Sequence, residues 1–567
     1  MTSLLGDTML GRLFGLVSKP TKPDPELASS CWPPSQGFDL SLKLESARIP
    51  ATFGHARKDA MEALDKLPDQ TSLSVASTWS EDTKTNLEKI GDAECQIGWD
   101  GVDDPENPLN FTPAKKALVE ILVHLLTLSV YLGPSIFSPS IPGMVKEFHT
   151  SLTVATLGTS ISLLGYGIGP MIWSPLSECP SIGRNPVYTA TLALFVLIQL
   201  PIALATNVET VIILRFFSGV FGSPALAIGG GSLTDVYLPR RRSYSIAAWE
   251  LSTWVAPTIG PLVGGLVAQK WGWRWTLWEL MLSNSVMFVL IFCLMPETSA
   301  SNILYRRAKR LPSSSVLSPS KQEISSVEAP LPRYQAALAF MHQTLIRPFT
   351  LCFAEPICLL LNTYTALSTG LFFAWFETLP FVFTTVYKFD LIQVGLGSLG
   401  LLGGAVSSYF AYITFFHCSS SKKFDHRSGT RKPEERFVPL MAGCAFMPLG
   451  LFVFGWTARE EIPCIVPIAA SGLFSFGSFS LFMSILNYLP DAYPQFAASV
   501  LAGNNFVRSV FAAGCVLFAA PMYSRLGPAT ASTILGVVDC AFVPIPFLFY
   551  FYGERIRGCS RRAVKDV

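Results

Sequence analysis

The chain has 567 residues, of which 50% are hydrophobic and only 14% are charged, and its mean hydropathy is +0.41. Soluble domains carry roughly a quarter charged residues, so this composition excludes an ordinary water-soluble protein. The net charge of +2 does not indicate nucleic-acid binding, and the 12 cysteines form no Cys-x-x-Cys pair and no Cys/His cluster. We therefore expect a membrane protein without a metal site.

Residues 1–113 are polar and rich in Ser, Pro and acidic residues, which is typical of a mostly disordered cytoplasmic tail. The opening stretch MTSLLGDTMLGRLFGLVSK is unlike a signal peptide, because Gly6, Asp7 and Gly11 interrupt any apolar core. Its apolar residues recur at helical spacing instead. This spacing predicts a short amphipathic helix that rests on a membrane.

Twelve apolar runs follow, each close to the roughly 20 residues that cross about 30 Å of hydrocarbon. They lie near 117–139, 153–175, 187–206, 209–237, 245–269 and 276–296, and then near 350–380, 391–416, 437–456, 464–489, 496–523 and 529–552. The predicted fold is an all-α membrane protein with twelve transmembrane helices in two six-helix halves. The predicted domains are a first bundle at 114–297, a cytoplasmic central loop at 298–347, a second bundle at 348–553 and a cytoplasmic tail at 554–567.

The basic residues are concentrated on one side of this twelve-span path. Clusters occur at 240–242, 306–310, 422–436 and 555–565, whereas the loops on the other side hold single or paired basic residues. Because Lys and Arg accumulate in cytoplasmic loops, both termini are predicted to face the cytoplasm.

The two halves repeat a short pattern at equivalent positions. Span 4 ends GGGSLTDVYLPRRRSYS and span 10 ends SILNYLPDAYPQFAAS, so that Asp235 and Asp491 each begin an Asp-x-Tyr sequence followed by Pro. This repeat indicates a duplicated six-span unit, as in many secondary transporters. No GxxxxGK[ST] nucleotide-binding motif occurs. The sequence therefore favours a solute carrier driven by an ion gradient.

Charged residues are found where helices turn on the predicted cytoplasmic side. They can form a cluster that holds helices together when the cavity opens outward, with each pair worth about 0.2–1 kcal/mol. Such weak contacts suit a gate that breaks in every cycle. The alternative is that these charges only set the topology. The predicted cytoplasmic gate consists of Glu178, Gly183, Arg184, Asp235, Arg242 and Asp491.

Three segments carry a family resemblance. GYGIGPMIWSPLSECPSIGRNPVY resembles the loop motif of the major facilitator superfamily between spans 2 and 3, in the form used by fungal multidrug:proton antiporters, with Glu178 in place of the usual Asp. RFFSGVFGSPALAIGGGSLTDVY is similar to the span 4 motif and places Arg215 at the position associated with proton coupling. APTIGPLVGG, in which Ala256 replaces a glycine, resembles the span 5 antiporter motif at Gly260, Pro261, Gly264 and Gly265.

Four further stretches resemble the fungal pumps that confer resistance to fluconazole, benomyl and cycloheximide. They are WDGVDDPENPLNF, LYRRAKRL, FAWFETLPFVF and LAGNNFVRSVFAA, and the resemblance spans about residues 99–555. It implies a monomeric, proton-coupled efflux pump of the plasma membrane without a cofactor. The expected cargo is a hydrophobic or amphipathic toxic compound, either an antifungal drug such as an azole or a toxin that the cell itself makes.

Polar residues inside the spans are the candidates for function. Arg215 costs several kcal/mol in lipid unless it meets a partner or a wet cavity, so we expect a role in proton coupling rather than snorkelling to the surface. Glu377 is the leading acidic candidate for binding a proton or a cationic cargo, and Glu250 and Asp539 are two further acids. The predicted cargo-contacting residues, for which lipid-facing or packing roles are the alternative, are Tyr364, Phe372, Trp375, Phe376, Asn505 and Arg508.

Two other functions remain open. A polyamine or nutrient carrier of the same fold is one, although a polyamine site should present several acidic residues and few are available. A non-transporting receptor or scaffold is the other, although it would not need the Gly-Pro pattern of span 5. We do not expect an enzyme, because no nucleophile–base pair or metal constellation stands out.

Overall fold

The computed structural model describes residues 8–10, 99, 101, 103–310, 347–420, 433–493 and 496–560. Apart from residues 8–10, the predicted amphipathic helix lies outside the described residues. So do most of the 1–113 tail, most of the central loop and residues 561–567. In the described part of the chain the regular structure is entirely helical.

The N-terminal half, described from residue 103 to 310, contains six helical segments long and apolar enough to cross a membrane. Spans 1–6 are Pro113–Phe148, Leu152–Glu178, Arg184–Ala203, Val208–Val236, Arg241–Trp271 and Trp275–Leu294. The helix of span 5 begins at Pro239, and shorter helices lie at Pro108–Asn110 and Ala300–Arg310. Span 4 consists of the helices Val208–Gly222, Pro224–Ala227 and Gly229–Val236.

The C-terminal half, described from residue 347 to 560, begins with the helix Arg347–Ala354. Spans 7–10 are Pro356–Thr385, Leu391–Cys418, Pro433–Thr457 and Ile465–Ala492. Span 8 combines the helices Leu391–Gly397 and Leu399–Ser420, and span 9 combines Pro433–Phe437, Val438–Gly443 and Phe446–Thr457.

The last helical stretch, Ser499–Gly558, has 60 residues. At 1.5 Å per residue it would be about 90 Å long, roughly three times the hydrocarbon thickness of a bilayer. Gly527 divides it, because its φ of 75° is non-helical inside Ala497–Cys540. Spans 11 and 12 therefore meet at Gly527, and the prediction of twelve spans is confirmed. A second interruption, at residues 541–543, separates Cys540 from the final helix, Pro544–Cys559.

Ordered structure extends past two of the predicted domain limits. Before span 1, Asp104 forms a 2.7 Å ion pair with Arg307 of the helix after span 6. At the other end, the helix of span 12 continues beyond residue 553 to Cys559. Arg557 there forms a 2.7 Å ion pair with Glu434 at the start of span 9. These ion pairs stabilise the two extensions against the rest of the structure.

Span 1 is broken between Tyr131 and Ile141. It consists of the helix Pro113–Tyr131, the short turns Gly133–Ile136 and Ser138–Ser140, and the helix Ile141–Phe148. Proline lacks the N–H that a continuous helix needs and clashes with the preceding turn, and this region contains Pro134 and Pro139. We call residues 132–140 the broken segment of span 1.

The glycines of span 5 bring its helix against two neighbours. A Cβ atom at Gly260 would collide with Ser135 Oγ, and one at Gly264 would lie 2.5 Å from the carbonyl oxygen of Ile136. A Cβ at Gly265 would lie 2.6 Å from the carbonyl oxygen of Leu391 in span 8. The segment 256–265 therefore packs on the broken segment with one face and on the C-terminal half with another, as small residues permit inside membranes.

Hydrogen bonds join the two halves at the middle of the bundle and towards its predicted external end. One runs between spans 1 and 7, two run between spans 2 and 11, and two run between span 5 and span 8 or the residue that caps it. The bonded pairs include Ser138–Glu377, Ser160–Ala513, Ser398–Thr258, Gln269–Asp390 and Asn505–Tyr166. These contacts hold the halves together on the side opposite to the predicted cytoplasmic gate.

Replacing Gly264 by leucine should disturb this packing. Overpacking a close helix contact costs about 1–3 kcal/mol, so we expect Gly264→Leu to lower the Tm of the purified protein in detergent. Gly514→Leu is the matched control, because a Cβ at Gly514 in span 11 would have no atom within 4 Å. An equal Tm for the two variants would contradict the contact between spans 5 and 1.

Candidate functional site

Arg215 lies inside the N-terminal half and is 1% exposed. Its Nε donates a hydrogen bond to the carbonyl oxygen of Gly158 at 3.3 Å, and a terminal nitrogen donates to that of Gly133 at 3.2 Å. The guanidinium lies 4.2 Å from the ring centroid of Phe137, within the range of a cation–π interaction. Among the described residues Arg215 has no carboxylate partner. Backbone oxygens and an aromatic ring compensate its charge instead.

Glu377 in span 7 reaches the same broken segment from the opposite half. Ser138 Oγ donates a hydrogen bond to Glu377 Oε1 at 2.6 Å. Because Ser138 directly follows Phe137, the two predicted proton-coupling residues contact adjacent residues of one distorted segment. The structure thus brings Arg215 and Glu377 to a common element without placing them in direct contact.

Two of the predicted gate residues form a close ion pair. Arg184, at the start of span 3, approaches Asp235 near the end of span 4 with an Nε–Oδ2 distance of 2.7 Å and a second contact of 3.1 Å. Arg242 donates to the carbonyl oxygen of Thr234 at 3.2 Å. Glu178 is exposed and forms no ion pair in the described part of the chain. The gate expected from the sequence is therefore only partly assembled in this structure.

Sequence analysis missed the residue that fixes the start of span 3. Glu297 is 1% exposed and follows span 6. Its Oε1 accepts a hydrogen bond from the backbone N–H of Arg184 at 2.9 Å. Gly183 has a φ of 83°, which favours glycine, and a Cβ there would lie 2.6 Å from Glu297 Oε2. An acidic residue directly after an apolar run was the available signal.

The C-terminal half repeats the Asp–Arg pair. Arg436, at the start of span 9, forms a 3.1 Å ion pair with Asp491 near the end of span 10. These positions correspond to those of Arg184 and Asp235 in the first half. Each pair joins two helices of its own half, so in this structure neither pair closes the space between the halves.

The tyrosines of the two Asp-x-Tyr sequences are also matched. The Tyr237 hydroxyl donates to Glu120 Oε2 at 2.6 Å, and the Tyr493 hydroxyl donates to Glu355 Oε2 at 3.4 Å. Burial and the Glu120 carboxylate raise the pKa of Tyr237, and burial raises the pKa of Tyr493. Both tyrosines therefore remain hydrogen-bond donors at neutral pH. Each ties the end of the fourth helix of its half to the start of the first.

The predicted cargo-contacting aromatics of span 7 lie on two different faces. Phe372 lies 4.1 Å between ring centroids from Trp254 of span 5, and Phe376 packs on Phe372 at 5.1 Å, so both are at the boundary between the halves. Trp375 packs 4.4 Å from Phe454 inside the C-terminal half.

Tyr364 also lies inside the C-terminal half, where its ring stacks on that of Phe542 at 5.5 Å. Tyr364 and Trp375 are about three helical turns apart and share a face. That face points into the six-helix bundle, so this structure does not support the expected cargo contact for either residue.

Arg508 and Asn505 occupy the boundary between the halves. The Arg508 guanidinium donates two hydrogen bonds to Asn505 Oδ1, at 3.0 and 2.8 Å. Asn505 Nδ2 in turn donates to the carbonyl oxygen of Tyr166 in span 2 at 2.9 Å. Glu250 of span 5 is 5% exposed and close enough to Arg508 for electrostatic interaction.

These groups define a central site between the halves. A cluster of aromatic side chains with a few polar groups is suited to binding hydrophobic or amphipathic molecules. The described residues contain no group of three or more His, Cys, Asp or Glu side chains that could hold a metal ion. The central site consists of six side chains that contact one another or interact electrostatically, namely Tyr131, Glu250, Trp254, Phe372, Phe482 and Arg508.

Twelve spans in two halves, with matching contacts at their helix ends, are the architecture of transporters built from repeats. The chain belongs to the Major Facilitator Superfamily, whose family model matches residues 123–539.

Several fungal relatives are similar over most of their length. Transporter mfs1 of Schizosaccharomyces pombe is 38% identical over 90% of this chain and 97% of its own. Fluconazole resistance protein 1 of Saccharomyces cerevisiae is 36% identical over 86% of this chain and 88% of its own. The citrinin biosynthesis cluster MFS transporter mrr1 of Monascus ruber is 36% identical over 83% of this chain and 92% of its own.

A solved structure of the proton:xylose symporter XylE has the same fold. It superposes with a TM-score of 0.55 at 13% identity and covers 78% of this chain and 97% of that one. At this identity the likeness concerns the fold alone.

The ion pair at the predicted gate should be measurable by a double-mutant cycle. We expect Arg184→Ala and Asp235→Asn to show a coupling free energy of up to about 1 kcal/mol in unfolding experiments in detergent, because the pair is half-buried. The control cycle, Arg184→Ala with Glu178→Gln, should show a smaller coupling free energy, because Glu178 interacts with Arg184 electrostatically but forms no ion pair with it among the described residues. Equal coupling in both cycles would show that Glu178 is as much a partner of Arg184 as Asp235 is.

Proposed function

We propose that the protein is a proton-coupled efflux pump that exports hydrophobic or amphipathic toxic compounds. Relatives named for fluconazole resistance and for a citrinin biosynthesis cluster support this assignment. The cargo would be an antifungal drug or a toxin made by the cell. We place the pump in the plasma membrane as a monomer, with both termini in the cytoplasm and the proton gradient in place of any cofactor.

The observation that carries the proposal is the hydrogen bond between Ser138 and Glu377. It joins the halves inside the membrane region, at the segment that Arg215 also holds. An ionised carboxylate accepts a stronger hydrogen bond than a neutral carboxyl group. Gain or loss of a proton at Glu377 would change the free energy of the contact between spans 1 and 7. A proton can thereby bias the movement of one half against the other.

The central site supports the cargo class. Its side chains are largely aromatic, and Arg508 and Glu250 provide one positive and one negative group. A polyamine would meet the like charge of Arg508, which makes this carrier type the weaker alternative. A receptor or scaffold without transport remains the alternative from another class.

Growth of pump-deficient yeast that expresses the protein tests the proposal. We expect higher tolerance of fluconazole, or of another compound in a panel of hydrophobic toxic molecules, and loss of that tolerance with a protonophore. Unchanged tolerance of every compound, in cells with the protein at the surface, would overturn the proposal.

Glu377→Gln should reduce this efflux strongly. Glutamine keeps the shape but cannot exchange a proton, and hydrogen bonds to charged groups are worth about 1.5–3 kcal/mol, so we expect a decrease of about tenfold or more. The measurement is the initial rate of fluconazole efflux at equal surface expression. Glu209→Gln, which removes an exposed acid at the start of span 4, should retain the wild-type rate.

Arg215→Ala should abolish proton-driven efflux while the protein still reaches the membrane. The substitution leaves the carbonyl oxygens of Gly158 and Gly133 without their donor and frees the Phe137 ring. Arg215→Lys should rescue little, because one ammonium group cannot reproduce the fork that reaches both oxygens. Normal efflux by Arg215→Ala would remove this residue from the mechanism.

A further inference from the structure

Asp539 in span 12 is a buried acid that the mechanism above does not use. It is 1% exposed, and neither carboxylate oxygen has a hydrogen-bond partner among the residues that the structure describes. Asp539 lies about 18 Å along the helix after Gly527, at 1.5 Å per residue. This distance places it near the middle of the bilayer. An ionised carboxylate without a donor at this depth costs several kcal/mol. The observed surroundings therefore fit the protonated form.

A second unpartnered group lies beside it. Tyr364 of span 7 is 0% exposed and is close enough to Asp539 for electrostatic interaction. Within the described ranges its hydroxyl has no hydrogen-bond partner. Buried polar atoms without partners are rare in folded proteins. Three such atoms from two helices in one place indicate a site that changes its hydrogen bonding rather than a packing defect.

The backbone is interrupted at this point. Phe542 N and Val543 N donate to the carbonyl oxygens three residues earlier, in place of the four-residue spacing of an α-helix, and Pro544 then starts the final helix. Discontinuous helices at mid-membrane are where transporters place coupling ions. Because the Tyr364 ring stacks on Phe542, movement of the interruption would reach the Tyr364 hydroxyl.

None of the groups that the structure describes around Asp539 is a cation that would hold its carboxylate in the ionised form. The titratable groups that face it are Tyr364 from span 7, Cys444 from span 9 and Cys540 on its own helix. In the described part of the chain no basic side chain faces it. Water or a donor, supplied in another arrangement of the helices, would allow the proton to leave.

We propose that Asp539, with Tyr364 beside it, is a proton-binding site inside the C-terminal half, separate from Glu377. Its role in coupling rests on the proposed efflux function. The step adds one proton from water to a carboxylate oxygen and forms an O–H bond, with no change in oxidation state. The site differs from Glu377 because it lies within one half, so its proton would respond to rearrangement of spans 7, 9 and 12.

Carbodiimide labelling of the full-length wild-type protein tests proton binding directly. Dicyclohexylcarbodiimide reacts with protonated carboxyl groups in apolar surroundings, and mass spectrometry locates the adduct. We expect labelling at Asp539 to decrease as the pH is raised from 5 to 9 in a sodium-free buffer, with no labelling at the exposed Glu178. Constant labelling across this range, or none, would overturn the proposal.

Transport by Asp539→Asn tests the role of the site. Asparagine imitates the neutral carboxyl group, so the variant should fold, and fluconazole uptake into inside-out vesicles should lose at least half of its response to an imposed pH gradient. An unchanged response beside a proton-driven wild type would make Asp539 a structural acid and overturn the coupling role. A wild type without any response would refute the proposed function instead, while the labelling profile would still decide whether Asp539 exchanges a proton.

Discussion

A positive charge inside a membrane protein must find its partners within the protein, and the contacts of Arg215 show how this chain provides them. A carbonyl oxygen inside a continuous helix can accept a second donor beside its own backbone N–H, as that of Gly158 in span 2 does. The break in span 1 releases the oxygen of Gly133 and presents the ring of Phe137, so that the guanidinium is compensated without a carboxylate. The same break presents Ser138 to Glu377 and leaves room for the close approach of span 5. One local departure from helical geometry thus organises three helix contacts.

The contacts at the helix ends stabilise each half of the molecule separately. The Arg184–Asp235 and Arg436–Asp491 pairs each join two helices of one half, and the tyrosine contacts connect the same helix ends to the first helix of that half. Since these bonds remain within a half, they need not break when the halves move. The bonds that a movement of the halves would have to change are those that join them, such as the bonds between spans 1 and 7 and between spans 2 and 11.

The sequence was sufficient to predict the spans and the duplication, because hydropathy and the Asp-x-Tyr repeat are local signals. It was insufficient for partners contributed by distant segments: Arg436 and Glu297 lie far along the chain from the residues that they bind. The faces of span 7 were also beyond reach, because its aromatic residues are spread around most of the helix and only the packing separates Trp375 from Phe372. That Arg215 is held by backbone oxygens and a ring, with no acidic partner among the described residues, depends on the folded backbone and could not be predicted from a residue pattern.

Several bonds between the halves end on main-chain oxygens, such as those of Ala513, Thr258 and Tyr166. A main-chain acceptor survives the replacement of its own side chain, so the residues at these positions can drift in evolution without loss of the bond. The contact between the halves therefore does not depend on the side chains at these acceptor positions. In evolution, the side chains of the central site can therefore change and recognise new toxic compounds while these bonds between the halves are kept.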